Sequence, residues 1–316
     1  GEISIRIARA AAELGIRSVA IYSEDDKSSL HTKMADDAIL VPGFGAKAYL
    51  DTSAIILAAQ EMGCDALHPG YGFLSERADF AEHCEASGIT FIGPSIDHLK
   101  LFGDKGKARS AAIAANVPVL KGIDRGVTLS EAEKFFDSVD GAIIIKAVAG
   151  GGGRGTRIVE DRDTLESAFI RCQSEAEASF GVGDLYVEEF LARARHVEVQ
   201  IIGDKAGNVV HLGERECSAQ RRNQKVVEIA PAPNFPTALR DKILKSAVTF
   251  AQQQSYKSLG TFEFLVDGNE PDSQFVFIEA NARLQVEHTV TEEVTGVDLV
   301  SSQIQVALGR SLSEIG

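Results

Sequence analysis

Short apolar runs alternate with amphipathic segments along the first part of the chain, from Gly1 to about Ile92. The strand-like runs are "RSVAIYS", "DDAILVP", "CDALHPG" and "ITFIG", and the helical segments include "TSAIILAAQEMG" and "RADFAEHCEASG". Strands that alternate with helices are typical of an α/β protein with a doubly wound parallel sheet. The first segment, "ISIRIARAAAELG", has helical periodicity and a stop at Gly15. Because a βαβ unit places a strand before such a helix, we expect an initial strand to be missing from this sequence.

The pattern changes twice further along the chain. Residues 93–119 contain two helical segments within "IDHLKLFGDKGKARSAAIAAN". Residues 120–190 then read as helix "LSEAEKFFDSV", strand "AIIIKAV", a glycine run, strand "TRIVE", helix "TLESAFIRCQSEAEAS" and strand "LYVEEF". From Leu191 strands dominate, apart from helices near "ALRDKILKSAVTFAQQQ" and "VDLVSSQIQVALG". The pattern therefore predicts several units rather than one uniform fold.

The segment from Phe275 to His288, "FVFIEANARLQVEH", places polar residues at alternate positions. If it is extended, one face carries Glu279, Asn281, Arg283, Gln285 and Glu287, and the other carries Ala280, Ala282, Leu284 and Val286. An ordinary half-solvated strand shows the same alternation. The apolar lead-in and the mixture of carboxylates, amides and a guanidinium favour a functional face instead.

Composition narrows the possible partners. The chain has 316 residues, 44% of them hydrophobic, and a formal net charge of -14. The length allows two or three domains, and the acidic balance argues against a general nucleic-acid or anionic-membrane binder. No apolar run approaches the ~20 residues that span a bilayer. The four cysteines are widely spaced, which favours reduced thiols in an intracellular, cytoplasmic or mitochondrial protein over a zinc site or disulfides.

Two loops could receive a ligand. Four consecutive glycines in "IIIKAVAGGGGRGTRIVE" separate two strands, and Lys146 ends the first of them. Such a run is either a flexible hairpin or a phosphate cover whose amides approach oxygen atoms closely; it matches neither the P-loop nor the dinucleotide-binding pattern. The segment "HPGYGFLSE" follows a strand, where α/β sheets place ligand loops, although a plain turn would look the same.

Charged residues concentrate in two further places. The segment "ERECSAQRRNQKVVE" holds Arg215, Arg221, Arg222 and Lys225, which form either a solvated face or an inward-pointing anion site. Glu263 in "TFEFLV" and Glu279 lie on strands joined by a short turn, so they can be neighbours in a hairpin. Asn281 follows on the same face as Glu279. Because buried carboxylates need a cation, this group predicts hard oxygen ligands for Mg²⁺.

These features together resemble the ATP-grasp superfamily and, within it, the biotin carboxylase family of biotin-dependent carboxylases. The matching strings are "HPGYGFLSE", "FIGPS", "GDK", "IIKA" with "GGGGRG", "RHVEVQ", "QRRNQKVVE", "APAP", "GTFEFL" and "RLQVEH", in family order over nearly the whole chain. The resemblance implies a Rossmann-like N-terminal domain over residues 1–92, a helical linker over 93–119, an ATP-grasp lid over 120–190 and a mostly antiparallel catalytic subdomain over 191–316. We expect the C-terminal part of that subdomain to be missing as well.

The resemblance also implies roles for individual residues in ATP binding. Lys105 and Lys146 would contact phosphates, and Glu263, Glu279 and Asn281 would hold Mg²⁺ or Mn²⁺, with the two carboxylates also facing ATP. The remaining ATP-binding positions implied by the resemblance are Gly152, Gly153, Glu188, Glu189, Phe190, Leu191, His196, Gln220 and Asn223.

For the carboxylation itself, the resemblance implies that Lys225, Arg283, Gln285 and the backbone of Val286 bind bicarbonate or biotin. Arg283, Glu287 and Lys225 would be the catalytic residues. Bicarbonate is a poor nucleophile, so a carboxylate such as Glu287 must remove its proton while a cation holds its charge. Arg283 would later stabilise the biotin enolate.

Some positions depart from the family pattern. Asn223 stands where His is frequent, Glu189 where Lys is frequent, Ala149 shortens the glycine run, and "EANAR" replaces "EMNTR" or "EMNPR". Three hypotheses follow: a working biotin carboxylase component, a nucleotide-binding or scaffolding domain without turnover, and another ATP-grasp ligase such as a carbamoyl-phosphate synthetase. "RLQVEH" favours the first over the third.

The expected partners are those of an acyl-CoA, pyruvate or urea carboxylase. They are a biotin carboxyl carrier domain, a carboxyltransferase and a second copy of the chain in a homo-oligomer, with no nucleic acid and no membrane. With both ends expected to be incomplete, we predict Mg²⁺-dependent ATP binding that is weakened by incomplete packing, with little or no biotin-stimulated turnover until both ends are restored.

Overall fold

The computed structural model describes residues 1–123, 125–139, 141–148, 155–192, 194–221 and 224–316, with the Phe180 side chain left out. The helices are α1 (Glu2–Glu13), α2 (His31–Met34), α3 (Thr52–Glu61), α4 (Ala78–Ala86), α5 (Ile96–Phe102), α6 (Lys105–Ala114), α7 (Leu129–Ser138), α8 (Leu165–Phe180), α9 (Thr237–Gln253), α10 (His288–Thr295), α11 (Leu299–Ala307) and α12 (Leu312–Ile315). The strands are β1 (Val19–Tyr22), β2 (Asp37–Leu40), β3 (Ala66–Leu67), β4 (Thr90–Phe91), β5 (Gly122–Ile123), β6 (Ile143–Ala147), β7 (Thr156–Val159), β8 (Leu185–Glu189), β9 (Arg195–Gly203), β10 (Val209–Arg221), β11 (Gln224–Ile229), β12 (Ser258–Asp267) and β13 (Gln274–Asn281).

The N-terminal strands are short and parallel, as the alternation of strands and helices predicted. β1 pairs with β2, and β3 pairs with β4, each in parallel. The two pairs form separate two-stranded sheets rather than one continuous sheet. The α/β class is thus confirmed: both parallel strand pairs lie in this unit, and the other two units carry antiparallel sheets.

The four-stranded sheet has the strand order β5-β8-β6-β7, and its pairs are antiparallel. Ile143, Ile145 and Ala147 alternate toward a buried face along β6, which is the period-two pattern of a sheet covered on one side. α8 covers that face with residues such as Leu165 and Cys172. The resulting core belongs to this sheet alone.

The five-stranded sheet has the strand order β11-β10-β9-β12-β13 and is antiparallel throughout. α5 and α9 pack on one face, where Phe102 meets Phe250 and Phe262 edge to face with ring centroids 5.9 and 5.5 Å apart. α11 covers part of the other face through Leu299 and Ile304. Cover on both faces leaves little of the long central strands in contact with solvent.

A β-bulge interrupts the hairpin of β12 and β13. Glu263 pairs with Glu279, but Phe264 pairs with Phe277, so Ile278 is an extra residue on β13. The bulge reverses the alternation along β13. Phe277 therefore faces the core beside Phe264, while Glu279, only two residues later, faces the opposite side with Glu263.

No helix in the part of the chain that the structure describes is both long and apolar enough to cross a membrane.

Candidate functional site

Four charged residues form a row across the five-stranded sheet. Arg215 on β10 is in register with Glu198 on β9, Glu198 with Glu263 on β12, and Glu263 with Glu279 on β13. Residues directly opposite each other on antiparallel strands share a face, so these side chains lie side by side. Glu198 and Glu263 are buried, whereas the Glu279 side chain is 41% exposed. The row thus runs from the interior toward solvent.

Arg215 neutralises the buried end of the row. Its Nε atom donates to Glu198 Oε1. Its Nη1 atom donates to Gln200 Oε1 at 2.9 Å and to Thr291 Oγ1 at 2.8 Å, and the side chain has no exposure to solvent. These bonds connect two strands with α10, so the guanidinium fixes both the charge and the geometry of this end of the row.

Lys225 lies at the centre of the carboxylates. It enters from β11, and its Nζ atom contacts Glu198 Oε2, Glu263 Oε1 at 3.1 Å and Glu287 Oε1 at 2.7 Å. Burial alone would lower the pKa of Lys225, but attraction to Glu263 and Glu198 outweighs burial and raises it. Lys225 is therefore a stable ammonium shared by three carboxylates.

The two buried carboxylates differ in their pKa values. Burial would raise the pKa of Glu198, but the charges of Arg215 and Lys225 outweigh burial and hold it at about 2. For Glu263 burial dominates and raises the pKa, with further repulsion from Glu279, while a hydrogen bond from His196 opposes the shift. Glu198 is thus fully compensated by cations, whereas Glu263 would be stabilised by additional positive charge.

His196 and Gln220 flank Glu263 on its other side. His196 Nε2 lies 2.6 Å from Glu263 Oε2, and Gln220 Nε2 donates to His196 Nδ1 at 2.8 Å. Burial alone would lower the pKa of His196, but its hydrogen bond to Glu263 raises it. The Gln220 bond leaves the proton of a neutral imidazole on Nε2, directed at the carboxylate.

Amide groups and Arg283 complete the exposed side of the cluster. Asn281 Nδ2 donates to Glu263 Oε1 at 2.7 Å, and Arg283 donates to Asn281 Oδ1 at 3.1 Å and to Gln285 Oε1 at 2.8 Å. Arg283 Nε also lies 3.1 Å from Glu76 Oε2. Glu76 ends the segment "HPGYGFLSE", so this loop reaches the site and is more than a plain turn.

The expectation that residues 275–288 are extended throughout is wrong. β13 ends at Asn281, and α10 begins at His288. The turn between them still brings Arg283, Gln285 and Glu287 to the cluster, because Leu284 anchors it in the core with 1% exposure. Val286 was expected on the apolar face, but its side chain is 60% exposed.

The donor set fits a hard divalent cation. Glu263 and Glu279 offer carboxylate oxygens on adjacent strands, and Asn281 offers an amide oxygen two pairs further along on the same face. Burial raises the pKa of Glu263, so a cation bound beside this carboxylate would favour its ionised form. Oxygen ligands of this kind suit Mg²⁺ or Mn²⁺.

The cations expected at ATP phosphates lie outside the central cluster. Lys146 on β6 contacts Glu188 on β8 at 2.6 Å, and Lys105 at the start of α6 lies 3.7 Å from Glu279. Tyr186, beneath the Lys146 ammonium at 5.7 Å, has its pKa raised by burial and by the charges of Glu188 and Glu279. These interactions place the four-stranded sheet close to the exposed end of the row.

The remaining predicted ATP residues are only partly described. Glu189 ends β8, and Phe190 and Leu191 follow it, all three partly buried. The Glu189 and Phe190 N–H groups donate to the carbonyls of Lys121 and Ala142. Gly152, Gly153 and Asn223 lie outside the described residues.

The cationic segment from Glu214 to Glu228 contains both inward-pointing cations and a solvent-exposed one. Arg215 and Lys225 point inward, Arg221 is exposed, and Arg222 lies outside the described residues.

Sequence reasoning missed Glu198 and the specific role of Arg215. The alternation of His196, Glu198 and Gln200 within "RHVEVQ" was the available signal. Buried Cys217 lies close to Glu198 and Glu287, and all four cysteines are free thiols, as expected.

Comparison with known proteins places these features in a family. Residues 1–99 match the family described as biotin carboxylase, N-terminal domain, and residues 104–315 match carbamoyl-phosphate synthase L chain, ATP binding domain. Human mitochondrial pyruvate carboxylase is 53% identical over 320 residues, which cover 100% of this chain and 27% of that protein. The chain therefore spans about a quarter of the length of the curated relatives it matches.

Two solved structures extend the comparison. A biotin carboxylase from Campylobacter jejuni, solved as a β,γ-ATP complex, superposes with a TM-score of 0.95 at 44% identity, covering 99% of this chain and 70% of that chain. The biotin carboxylase domain of 2-oxoglutarate carboxylase from Hydrogenobacter thermophilus, solved with MgADP, ADP and bicarbonate, gives 0.92 at 44% identity, covering 99% and 68%.

The antiparallel sheet with its carboxylate row, next to a smaller four-stranded sheet that carries a lysine, defines an ATP-dependent ligase of the ATP-grasp class. Within that class, the chain belongs to the biotin carboxylase family.

Proposed function

We propose that this chain carboxylates biotin with bicarbonate, at the expense of ATP and with Mg²⁺ or Mn²⁺, within a larger biotin-dependent carboxylase. The observation that carries the proposal is the position of Lys225. Its ammonium bridges Glu263, a candidate metal ligand, and Glu287, a candidate base. The candidate metal ligand and the candidate base therefore belong to one ion-pair cluster.

Different residues of the chain act in different steps of the proposed reaction. Glu287 takes the bicarbonate proton while Lys225 and Arg283 hold the anion's charge, and the freed oxygen attacks the γ-phosphorus as ADP leaves. The carboxyphosphate formed breaks into CO₂ and phosphate, phosphate accepts the N1' proton of biotin, and N1' attacks CO₂. Arg283 stabilises the enolate oxygen of biotin, and Gln285 with the Val286 backbone orients the anion.

ATP occupies the side of the site toward the four-stranded sheet. Lys105 and Lys146 meet the phosphates, and Glu188 to Leu191 border the adenine with His196 and Gln220 nearby. Glu263, Glu279 and Asn281 hold the divalent cation, which supplies charge neutralisation for phosphoryl transfer. Gly152, Gly153 and Asn223 are part of the same proposal.

The sheets support the proposed domain division. The parallel pairs lie within residues 1–92, the four-stranded sheet within 120–190 and the five-stranded sheet within 191–316, with α5 and α6 in the connection 93–119. A carrier domain with covalent biotin, a carboxyltransferase and a second copy of the chain are the proposed partners of the whole enzyme.

The test is ATP cleavage by the chain with bicarbonate, with and without free biotin. We expect Mg²⁺-dependent ADP release that requires bicarbonate, with little or no increase from biotin in this chain alone and a clear increase in the whole carboxylase. ATP binding without bicarbonate-dependent cleavage would instead support a nucleotide-binding domain without turnover.

Glu287→Gln gives the sharper comparison. The variant should keep ATP affinity, measured by titration calorimetry, but lose about 10²-fold in bicarbonate-dependent cleavage, as is typical when a general base is removed. Turnover like that of the unmodified chain would contradict the role of Glu287.

A further inference from the structure

We infer that His288 is a positioning residue that holds the Gln285–Glu287 turn in its bicarbonate-binding geometry; the inference rests on the proposed function. His288 begins α10 directly after Glu287 and is 4% exposed. Its Nδ1 atom lies 2.9 Å from the Gln285 carbonyl oxygen. A carbonyl only accepts hydrogen bonds, so the imidazole proton is on Nδ1 and the ring closes the turn from inside.

The other ring nitrogen shows that packing alone does not explain this histidine. Among the described residues, His288 Nε2 has no hydrogen-bond partner although it is buried, and Glu292 Oε2 is 4.0 Å away. A buried polar atom without a partner is unfavourable, so an apolar side chain would suit the position better if it only filled space. The bond to Gln285 accounts for the imidazole.

A second histidine, His68, lies near His288 in the loop that carries Glu76. Gly70 N donates to His68 Nδ1 at 3.0 Å, so the proton of neutral His68 is on Nε2. Burial lowers the pKa of His68 to about 4, and the charge of a protonated His288 would act in the same direction. The His68 ring is therefore neutral at neutral pH, and the Gln303 side chain adjoins it.

The loop that carries His68 also contacts the turn directly. On the side of the carboxylate cluster, Glu76 contacts Arg283 at 3.1 Å. Because Gln285 also contacts Arg283 and Glu263 with its side chain, fixing its carbonyl fixes the groups that would hold bicarbonate. Loss of the His288 bond should therefore affect bicarbonate far more than ATP.

Two amide substitutions separate the roles of the ring nitrogens. In His288→Asn the side-chain N–H group stands near the place of Nδ1 and can still donate to the Gln285 carbonyl, whereas in His288→Gln it stands near the place of Nε2. We expect His288→Gln to lose about ten- to a hundredfold in kcat/KM for bicarbonate, since small misplacements of reacting groups have effects of that size. His288→Asn should stay within a few-fold of the unmodified chain, and KM for ATP should change little in either.

A matched control separates positioning from general destabilisation. His98 is also a buried histidine, 6% exposed, with Nε2 2.9 Å from the Gln254 carbonyl oxygen, but it lies on α5, away from the turn. His98→Asn places its side-chain N–H near Nδ1 and so loses the bond to the Gln254 carbonyl; it should lower the melting temperature as His288→Gln does and leave KM for bicarbonate unchanged.

The outcomes are distinct. If the unmodified chain cleaves ATP with bicarbonate and His288→Gln matches His288→Asn in kcat/KM for bicarbonate, the positioning role is overturned. If the unmodified chain shows no bicarbonate-dependent cleavage, the proposed function fails and this inference fails with it. A loss confined to bicarbonate kinetics in His288→Gln, partly restored in His288→Asn, supports it.

Discussion

At the scale of single residues, Lys225 holds the largest share of the site's charge balance. Its ammonium contacts three carboxylates, and two of these have almost no contact with water. An exposed cation could not balance their negative charge equally well. The same position makes it a candidate anion contact. One residue therefore serves both stability and the proposed chemistry.

Lys225→Met should lower the free energy of unfolding by about 3–5 kcal/mol, the typical effect of leaving buried charges uncompensated. The folded-state pKa of Lys225 is raised above its ordinary 10.5, so its stabilisation is complete below that pH and is lost only as the pH rises through the folded value. Urea unfolding should therefore show a constant difference from the parent chain across neutral pH.

Lys105→Met is the matched comparison. The Lys105 side chain is 40% exposed and lies 3.7 Å from Glu279, so solvent screens the pair. Its loss should change the free energy of unfolding by less than about 1 kcal/mol. Equal effects of the two substitutions would contradict the central role assigned to Lys225.

Glu263 should make metal binding sensitive to pH. Burial and the charge of Glu279 raise its pKa above the ordinary 4.5, so protons compete with the cation at a higher pH than for an exposed carboxylate. Calorimetric titration of the ATP-loaded chain with Mg²⁺ should show weaker affinity as the pH falls toward that raised value. Glu263→Gln should have low affinity at every pH; a full pH dependence in this variant would assign the titration to another group.

At the scale of elements, the bulge at Ile278 determines which residues of β13 reach the site. Deleting Ile278 leaves the pairs of Phe277 with Phe264 and of Glu279 with Glu263 possible on a regular ladder. The deletion variant should therefore fold. It should bind Mg²⁺-ATP more weakly, because removal of a bulge changes the local bend and the direction of Glu279.

Deleting Val276 is the control for the bulge. However the strand adjusts, Phe275 or Phe277 must then turn away from the core, and losing a buried phenyl contact typically costs about 3–5 kcal/mol. Its melting temperature should fall well below that of the Ile278 deletion. Similar melting temperatures would show that the bulge does not determine which residues of β13 face the core.

At the scale of the whole molecule, the acidic balance makes nucleotide binding depend on a divalent cation. The net charge is -14, and the carboxylate row faces the proposed phosphate position. ATP alone should stabilise the chain weakly. ATP with Mg²⁺ at about a hundredfold excess over Kd should add about 2.7 kcal/mol and raise the melting temperature by about 5 °C.

Differential scanning fluorimetry with ATP, Mg²⁺ and both together tests this dependence. The control is Lys100→Met, which removes an exposed pair with Glu82 on the N-terminal unit and should leave the shift unchanged. A full shift with ATP alone would contradict the metal site.

Local sequence by itself determined most elements and the chemistry of the site. The periodicities of "TSAIILAAQEMG" and "AIIIKAV" predicted α3 and β6 because amphipathic spacing follows directly from helix and strand geometry. The proximity of Glu263 and Glu279 followed from a short hairpin connection. The family resemblance was also confirmed, since its motifs are local strings.

Only the tertiary structure decided how these elements meet. The row that joins Arg215, Glu198 and Glu263 depends on β9 lying between β10 and β12, an order that distant pairing and packing select. The reversal at Ile278 and the end of β13 at Asn281 depend on core contacts of Phe277 and Leu284. Alternation along a chain specifies two faces, but packing against the remaining elements chooses which face is buried and where the alternation changes phase.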